Sequence, residues 1–328
     1  MRRPSTDAPF VHVGRAGDPD LRWLVDAPLP PESCAYLFDD EPTLYAPQAA
    51  STDLGAVAGR VVETADDPTL ALVDALPDGA VCAPRHVPHD AALRVERAGH
   101  DLRSTTAVAE ARAQKDERER AALSRAARAA RAGVERAREV LSAGADGELA
   151  VTGDEREDES AVERLRRQVA SGVAAAGATP AVGVDGPFRA GAPVVVDASA
   201  RVDGRWARLA RTLVVGGDGG AVRRTQVAAE SALRVAAGEA TPGTEVDWLA
   251  AEVRAELGSF GVEPVGQRVV AGTGLARREA PLVGTDAALE TGHALVVAPA
   301  GRVPETDAAV RLANTLVVGE DRARVLGG

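Results

Sequence analysis

Cysteine, aromatic residues and lysine are all scarce in this chain of 328 residues. The two cysteines, Cys34 and Cys82, have neither CxxC spacing nor the density of a disulfide framework. This favours a reduced, cytoplasmic setting and argues against a thiolate metal site. Lys115 is the only lysine, so arginine carries almost all of the positive charge. Together with abundant alanine, this indicates a compositional bias of the coding sequence and says nothing about function.

Long apolar runs are also missing. No run approaches the roughly 18 apolar residues of a membrane span, and the N-terminal segment MRRPSTDAPF has two arginines with no apolar stretch behind them. The net charge of −11 repels nucleic acid phosphates and anionic membranes. We therefore expect a soluble, cytoplasmic protein whose partners include neither nucleic acid nor a membrane.

The length favours two domains, because single cores stop growing at roughly 250–300 residues. Residues 1–108 have the pattern of a small mixed α/β domain, with strands predicted at 21–25, 35–38 and 43–47. His86 and His89 are spaced closely enough to suggest a metal site, but no carboxylate or thiol cluster accompanies them in the sequence. We interpret both as partly exposed polar residues.

The sequence becomes helical from about residue 105. Asp116 and Glu119 resemble a capping box, and apolar residues then recur at alternating spacings of four and three. Further along, Thr244 and Asp247 predict a second capping box ahead of another amphipathic helix. The residues predicted to face the core in these helices are Leu123, Ala127, Ala130, Val134, Ala137, Leu141, Val246, Leu249, Val253 and Leu257.

Residues 194–216 predict a β-hairpin. Three consecutive valines run into Asp197, a polar turn follows at Asp203 and Gly204, and an apolar stretch returns. This segment resembles the first metal-binding hairpin of the M24 metallopeptidases, D-x-G-x-x-x-x-G-Y-x-S-D-x-T-R-T. Asp197, Gly204, Arg211 and Thr212 are in register, but Arg208 stands where the family has its second metal-binding Asp.

Three more segments resemble motifs of the same family. VAGTGLARREAP, 270–281, resembles G-H-G-I-G-L-x-x-H-E-x-P, with Ala271 at the metal-binding His and Arg278 at the substrate-contacting His. LETGHALVVAPAG, 289–301, has Ala298 at a metal-binding Glu, and VRLANT, 310–315, has Ala313 at the last Glu ligand. Of the five ligand positions that the resemblance implies, only Asp197 keeps a ligating side chain.

The resemblance extends to the N-terminal region, which is similar to that of the creatinase and prolidase branch, the branch with Xaa-Pro specificity. It implies an α/β (α+β) fold with a creatinase/prolidase-like domain over 1–108 and a pita-bread M24 domain over 109–328. Family members bind two divalent metals such as Mn, Co or Zn. Here the lost ligands predict no metal ligands and no cofactor.

Two classes of function follow. The first, which we favour, is a pseudoenzyme that has lost dinuclear metal binding and peptidase activity and acts by binding a peptide or small anionic ligand, as a homodimer or beside an active paralogue. The alternative is an active Xaa-Pro aminopeptidase or dipeptidase-type hydrolase with relocated metal ligands or a metal-free mechanism. For the first class, the sequence predicts no catalytic residue and a candidate pocket near Arg278, Glu279 and Arg311.

Overall fold

The computed structural model describes residues 1–48, 52–143, 155–186, 188, 191–214, 220–266 and 268–327. The chain divides into two compact units, Met1–Arg112 and Ala113–Gly328, whereas the sequence places the boundary at 108. Within the described residues, no helix has both the length and the apolar character needed to cross a bilayer.

The first unit is built on a mixed six-stranded sheet whose strand order is β4-β3-β2-β1-β5-β6. Valine, leucine and aromatic side chains from its central strands form the core with two flanking helices. The strands are β1 (Phe10–Gly14), β2 (Cys34–Phe38), β3 (Pro42–Pro47), β4 (Arg60–Thr64), β5 (Ala80–Pro84) and β6 (Asp101–Thr105). The helices are α1 (Pro19–Val25), α2 (Pro68–Asp74), α3 (His89–Arg97) and α4 (Ala107–Ala113).

The strand predicted at 21–25 is wrong, because these residues form helix α1. The Asp18 side chain caps this helix by accepting a hydrogen bond of 2.8 Å from the Leu21 amide, and Pro19 takes the first helical position. Asp followed by Pro is a helix start signal that outweighs the β propensity of the bulky residues that follow. The strands predicted around 35–38 and 43–47 are confirmed as β2 and β3.

Two long helices, α5 (Glu117–Ala143) and α6 (Glu155–Ala175), open the second unit. The capping box of α5 is confirmed, since Asp116 and Glu119 exchange hydrogen bonds between side chain and amide at 2.8 and 3.1 Å. All six residues predicted on the apolar stripe of α5 are buried. They pack against α6 and against the valines and alanines of the adjacent sheet.

That sheet has the order β7-β8-β9, with β7 (Thr179–Asp185), β8 (Pro193–Val202) and β9 (Arg205–Val214) all antiparallel. The predicted hairpin is thereby present up to Val214, and its last two residues, 215 and 216, lie outside the described residues. Asp203 and Gly204 form the turn with positive φ values of 48° and 81°. Such a turn favours Asp or Asn followed by Gly.

Two further helices and two small sheets complete the unit. Helix α7 (Gly220–Glu239) packs on α8 (Val246–Ser259). The four apolar residues predicted to face inward in α8 are buried, but its predicted capping box is wrong, because the Asp247 carboxylate accepts from the Gly284 amide instead. The remaining strands are β10 (Val270–Gly272), β11 (Glu279–Leu282), β12 (Ala294–Val297), β13 (Ala300–Arg302), β14 (Ala309–Arg311), β15 (Asn314–Val318) and β16 (Ala323–Val325).

The five-stranded sheet of this unit has the order β11-β10-β12-β15-β16, and β13 pairs with β14. Strand β9 meets this region through a bridge between Ala210 and Ala313, with paired backbone hydrogen bonds of 3.1 and 3.0 Å. The motifs that are far apart in sequence therefore converge beside the hairpin.

Candidate functional site

The centre of the site is the hairpin pair Asp197 and Arg208. Strand pairing sets Asp197 opposite Ala210 and Ser199 opposite Arg208, so the two charged residues are diagonal neighbours across β8 and β9. Arg208 Nε donates to both carboxylate oxygens of Asp197, at 2.9 and 3.1 Å, and Nη2 donates to Oδ2. The guanidinium thus binds both oxygens of the carboxylate in a forked geometry.

This ion pair raises the pKa of the Arg208 guanidinium, chiefly through its hydrogen bonds to Asp197. The side chains are only partly covered, with 37% of Arg208 and 28% of Asp197 exposed. The charges therefore remain in contact with solvent, and the pair lies at the wall of a cleft and not in the core.

Side-chain hydrogen bonds attach the hairpin to the start of β15. The Thr315 hydroxyl accepts from the Arg208 amide at 2.8 Å and donates to its carbonyl at 3.0 Å. Arg211 donates to the carbonyl oxygen of Ala313 at 3.0 Å and to the side chain of Asn314 at 2.9 Å. These bonds hold the backbone of β9 in a fixed register against 313–315, so residues 208 and 313 keep their places relative to Asp197.

Alanine and valine fill the space around the pair. Ala210, Val296 and Ala313 form a small apolar cluster, with Ala298 packed against it. Ala271 lies directly opposite Val296 in the sheet. The former ligand positions predicted from the sequence are therefore brought together, but the three alanines among them form an apolar wall beside the ion pair.

A cleft of about 690 Å³ opens beside this wall. Asp197 and Arg208 line it together with Ala271 and Ala298, and arginines make up most of the remaining charged lining. These arginines are Arg166, Arg268, Arg277 and Arg278. Among the described residues of the lining, five arginines, counting Arg208, thus face one aspartate in a chain whose net charge is −11.

The arginines of the lining differ in what they contact. Arg166 bonds Glu163 through two nitrogens, at 2.8 and 2.9 Å, and Arg277 lies over the Trp206 ring at 4.5 Å. Arg268 and Arg278 are exposed, and neither forms an ion pair with a described side chain. At least these two are available to an anion that enters the cleft.

Two other residues predicted for the pocket lie elsewhere. Glu279 is buried and pairs with Lys115, whose Nζ lies 2.7 Å from Glu279 Oε1. Its other oxygen accepts from the Ala276 amide at 3.0 Å. Arg311 is exposed on β14 and does not belong to the described lining of the cleft. The pocket is accordingly formed around Arg208, Arg268 and Arg278.

These residues do not suit the pair of divalent cations that the family resemblance implies. Two cations at about 3.5–4 Å need several carboxylates to bridge them and to offset their repulsion. Asp197 is the one ligand position with a carboxylate, and an arginine already holds both of its oxygens. Alanine at 271, 298 and 313 has no donor atom.

The first unit contains a different cluster, formed by His12, Asp20 and His86. One ligand atom of each lies within 4.8 Å of the other two, and these residues form the only such group of three or more His, Cys, Asp or Glu found among the described residues. His86 is an exposed polar residue, as expected, but the expectation that no carboxylate accompanies it is wrong, because Asp20 Oδ2 lies 3.2 Å from its Nε2. Its carboxylate neighbour comes from a helix that the sequence pattern did not predict.

Comparisons with solved structures agree with this architecture. The fold is similar to the prolidase of Pyrococcus horikoshii OT3, with a TM-score of 0.83 and 18% identity over 98% of this chain and 94% of that one. It is also similar to dipeptidase PepE of Mycobacterium ulcerans, with a TM-score of 0.79 and 23% identity over 98% of this chain and 91% of that one. For the Xaa-Pro dipeptidase of Bacillus anthracis the TM-score is 0.80 and the identity 17%, over 98% of this chain and 92% of that one. No curated protein matches the chain in sequence.

The sequence model of metallopeptidase family M24 matches residues 121–320. The prediction that the chain has no metal cofactor is contradicted, because the matching family is one of metallopeptidases and the first unit holds a cluster of metal-ligand type. With more than half of its length matched and its fold shared with prolidases, this chain belongs to metallopeptidase family M24 and has the family's pita-bread fold with a small N-terminal domain.

Proposed function

We propose that the cleft of this M24 protein binds a small anionic ligand, such as the carboxylate of a short peptide, without hydrolysing it through a dinuclear metal centre. The observation that carries the proposal is the Arg208 guanidinium on Asp197. A cation bound to the protein occupies the carboxylate that would otherwise ligate metal.

Electrostatics favour the same conclusion. A divalent cation approaching Asp197 would meet the positive charge of Arg208 at contact distance. The described residues that line the cleft include no second carboxylate to offset that charge. Displacing the Arg208 side chain would break its hydrogen bonds to Asp197, and the alanine side chains at the former ligand positions have no atoms that could ligate the incoming cation. This cleft therefore disfavours the cations that the family's chemistry needs.

The arginines give the cleft an affinity for the opposite charge. Guanidinium groups recognise carboxylate and phosphate in a forked geometry and retain their charge at all physiological pH values. Arg268 and Arg278 are exposed in the lining. Structurally similar proteins are named as prolidases and an Xaa-Pro dipeptidase, so we propose a proline-containing peptide as the ligand to test first.

The test combines binding with turnover on the full chain. We expect glycyl-proline or inorganic phosphate to raise the melting temperature at low salt, and we expect no release of proline when Mn²⁺ or Co²⁺ is added. Arg278→Ala should weaken ligand binding, whereas Arg223→Ala, which changes an exposed arginine outside the described lining of the cleft, should not.

A positive control comes from restoring the ligands implied by the family. The combined changes Arg208→Asp, Ala271→His, Ala298→Glu and Ala313→Glu should create Mn²⁺ binding, once circular dichroism has shown that the variant folds. Metal-dependent release of proline by the unaltered chain would reverse the proposal and support the hydrolase alternative. A homodimer, an active paralogue as partner and a cytoplasmic location stay predictions.

A further inference from the structure

His12 is the deepest member of the cluster in the first unit. It lies on β1, is 0% exposed, and its Nε2 lies 2.9 Å from Asp18 Oδ1. Because a carboxylate accepts, Nε2 carries the proton of the neutral imidazole, and Nδ1 then keeps a free lone pair. That Nδ1 is buried and has no hydrogen-bond partner among the described residues. A buried acceptor without a partner costs free energy, so its presence calls for a ligand.

Asp20, in the first turn of α1, repeats the pattern. Its side chain is 1% exposed, and Oδ1 accepts from Arg112 Nη1. The other oxygen, Oδ2, is buried and lacks an aligned hydrogen bond to any described residue, although His86 Nε2 lies 3.2 Å away. One oxygen is thus fixed by a guanidinium, and the second remains directed at the imidazole.

His86 completes the group from the solvent side. It follows β5, its side chain is 56% exposed, and its ring lies 5.5 Å from the ring of His12 at an interplanar angle of 72°. An ion can therefore approach the two buried ligand atoms from the exposed side of the His86 ring. A solvent molecule can complete the coordination at the exposed position.

We propose that His12, Asp20 and His86 bind one divalent transition metal of the Zn²⁺ or Co²⁺ type. Two imidazoles and one carboxylate suit these borderline ions, whereas Ca²⁺ and Mg²⁺ prefer sets of oxygens. Asp18 acts as a positioning residue, since a carboxylate bound to the far nitrogen of a ligating histidine fixes its tautomer and orientation. The site lies wholly within Met1–Arg112.

Arg112 is the main argument against the site, because its charge repels a cation. Its hydrogen bond is to Oδ1, however, and this bond holds the carboxylate with Oδ2 toward the histidines. The predicted consequence is an affinity lower than that of an otherwise equal site without the arginine.

The experiment is a titration of the full chain with Zn²⁺ by calorimetry and with Co²⁺ by visible absorption, after treatment with EDTA. We expect one equivalent per chain, and visible bands of Co²⁺ in a low-symmetry nitrogen and oxygen environment. His86→Ala should lower the affinity at least about ten-fold, and Asp18→Asn, which retains a helix-capping side chain, by about ten-fold. His89→Ala is the matched control and should bind as the unaltered chain does, because His89 is an exposed neighbour outside the cluster.

Two results would overturn the proposal. One is the absence of binding, which would leave Asp20 as a partner of Arg112 and His86 alone. The other is equal loss in His86→Ala and His89→Ala, which would indicate adventitious binding at surface histidines. Arg278→Ala, which alters the cleft and leaves the pair of Arg208 and Asp197 in place, should leave the titration unchanged, so failure here is separable from failure of the proposed cleft function.

Discussion

A single exchange of side chain determines the electrostatics of the cleft. Arginine at 208 places a positive charge where the family resemblance predicts a carboxylate, and its forked contact with Asp197 supplies the counter-charge that metal would otherwise supply. Both side chains remain partly exposed. The pair is therefore stabilised by a moderate Coulomb attraction, and the free-energy cost of removing its charges from water is small.

This partial exposure sets the expected strength of the pair. In a double-mutant cycle of Arg208→Ala and Asp197→Ala, we expect a coupling free energy of about 1 kcal/mol, the upper part of the range for solvent-exposed pairs. Urea unfolding of the four proteins would measure it. A coupling of 3 kcal/mol or more, of the order found for buried pairs, would contradict the exposed geometry.

The pair of Lys115 and Glu279 should behave differently, because its side chains are only 2% and 6% exposed. Lys115→Met leaves a carboxylate in the interior without its cation, and we expect a loss of about 3–5 kcal/mol in the free energy of unfolding. Arg223→Ala, which breaks an exposed pair with Glu230, serves as the control and should change little. Similar effects of the two substitutions in urea unfolding would argue against a buried pair.

His293 gives the fold a dependence on pH. Burial lowers the pKa of this imidazole, with Lys115 adding to the effect and Glu290 opposing it, and its Nδ1 accepts from the Glu290 amide at 3.1 Å. Below pH 6.5, roughly the unfolded pKa, the unfolded chain binds a proton that the folded chain resists. Stability contributed by this residue is therefore present above that pH and is lost as the pH falls toward the folded pKa.

We expect His293→Asn, whose amide oxygen can replace the acceptor, to unfold with a weaker pH dependence than the unaltered chain between pH 7.5 and 5.5. Urea midpoints at several pH values would test this. Parallel pH profiles for the two proteins would exclude the histidine as the cause.

Among the strands and helices, two glycines differ in how much space surrounds them, and we expect opposite effects when each is replaced by alanine. A Cβ at Gly272, where β10 pairs with β11, would lie 2.2 Å from the Ala280 carbonyl oxygen. At the exposed Gly238 in α7, no described atom outside the helix's own backbone and the adjacent residues lies within 4 Å of such a Cβ. The first glycine allows two strands to meet, and the second only adds flexibility to a helix.

Alanine substitution should separate these roles. Gly272→Ala should cost about 1–3 kcal/mol because backbone must move, whereas Gly238→Ala should add about 0.5–1 kcal/mol through helix propensity. Thermal unfolding of both variants would provide the comparison. Stabilisation by Gly272→Ala would show that β10 and β11 do not approach this closely.

Local patterns predicted the elements well where one signal dominated. The stripe of α5 and the turn of the hairpin are confirmed, because burial of one face and a tight turn each restrict the sequence directly. Helix α1 was mispredicted since its bulky residues favour a strand while its cap favours a helix. Asp247 was mispredicted as a cap because its partner, the Gly284 amide, is distant in sequence.

The two clusters of charged residues show the same limit of sequence-based prediction, which is that contacts between residues distant in sequence are not visible in local patterns. Family motifs allowed Asp197 and Arg208 to be placed together, since eleven residues of hairpin fix their distance. His12, Asp20 and His86 come from a strand, a helix and a loop with no shared spacing, so only the folded sheet brings them together. Mispredicting α1 removed Asp20 from consideration as well.

For the chain as a whole, the two proposals assign different ligands to different units. The metal cluster belongs to Met1–Arg112, and the arginine-lined cleft belongs to Ala113–Gly328. In each unit the ligand would satisfy a charge or lone pair that the fold leaves available. Binding to a folded unit stabilises it against opening and slows hydrogen exchange there.

Hydrogen exchange monitored by mass spectrometry should therefore separate the two responses. Adding Zn²⁺ after EDTA should slow exchange in peptides around β1, α1 and the loop containing His86, with no change in peptides of the hairpin and β15. Inorganic phosphate at low salt should slow exchange near Arg268 and Arg278 and leave the peptides around β1, α1 and the His86 loop unchanged. This protection should weaken as added salt screens the charges of the arginines. Protection of the hairpin by Zn²⁺ would mean that Asp197 accepts metal despite Arg208, and the proposed function of the cleft would then be wrong.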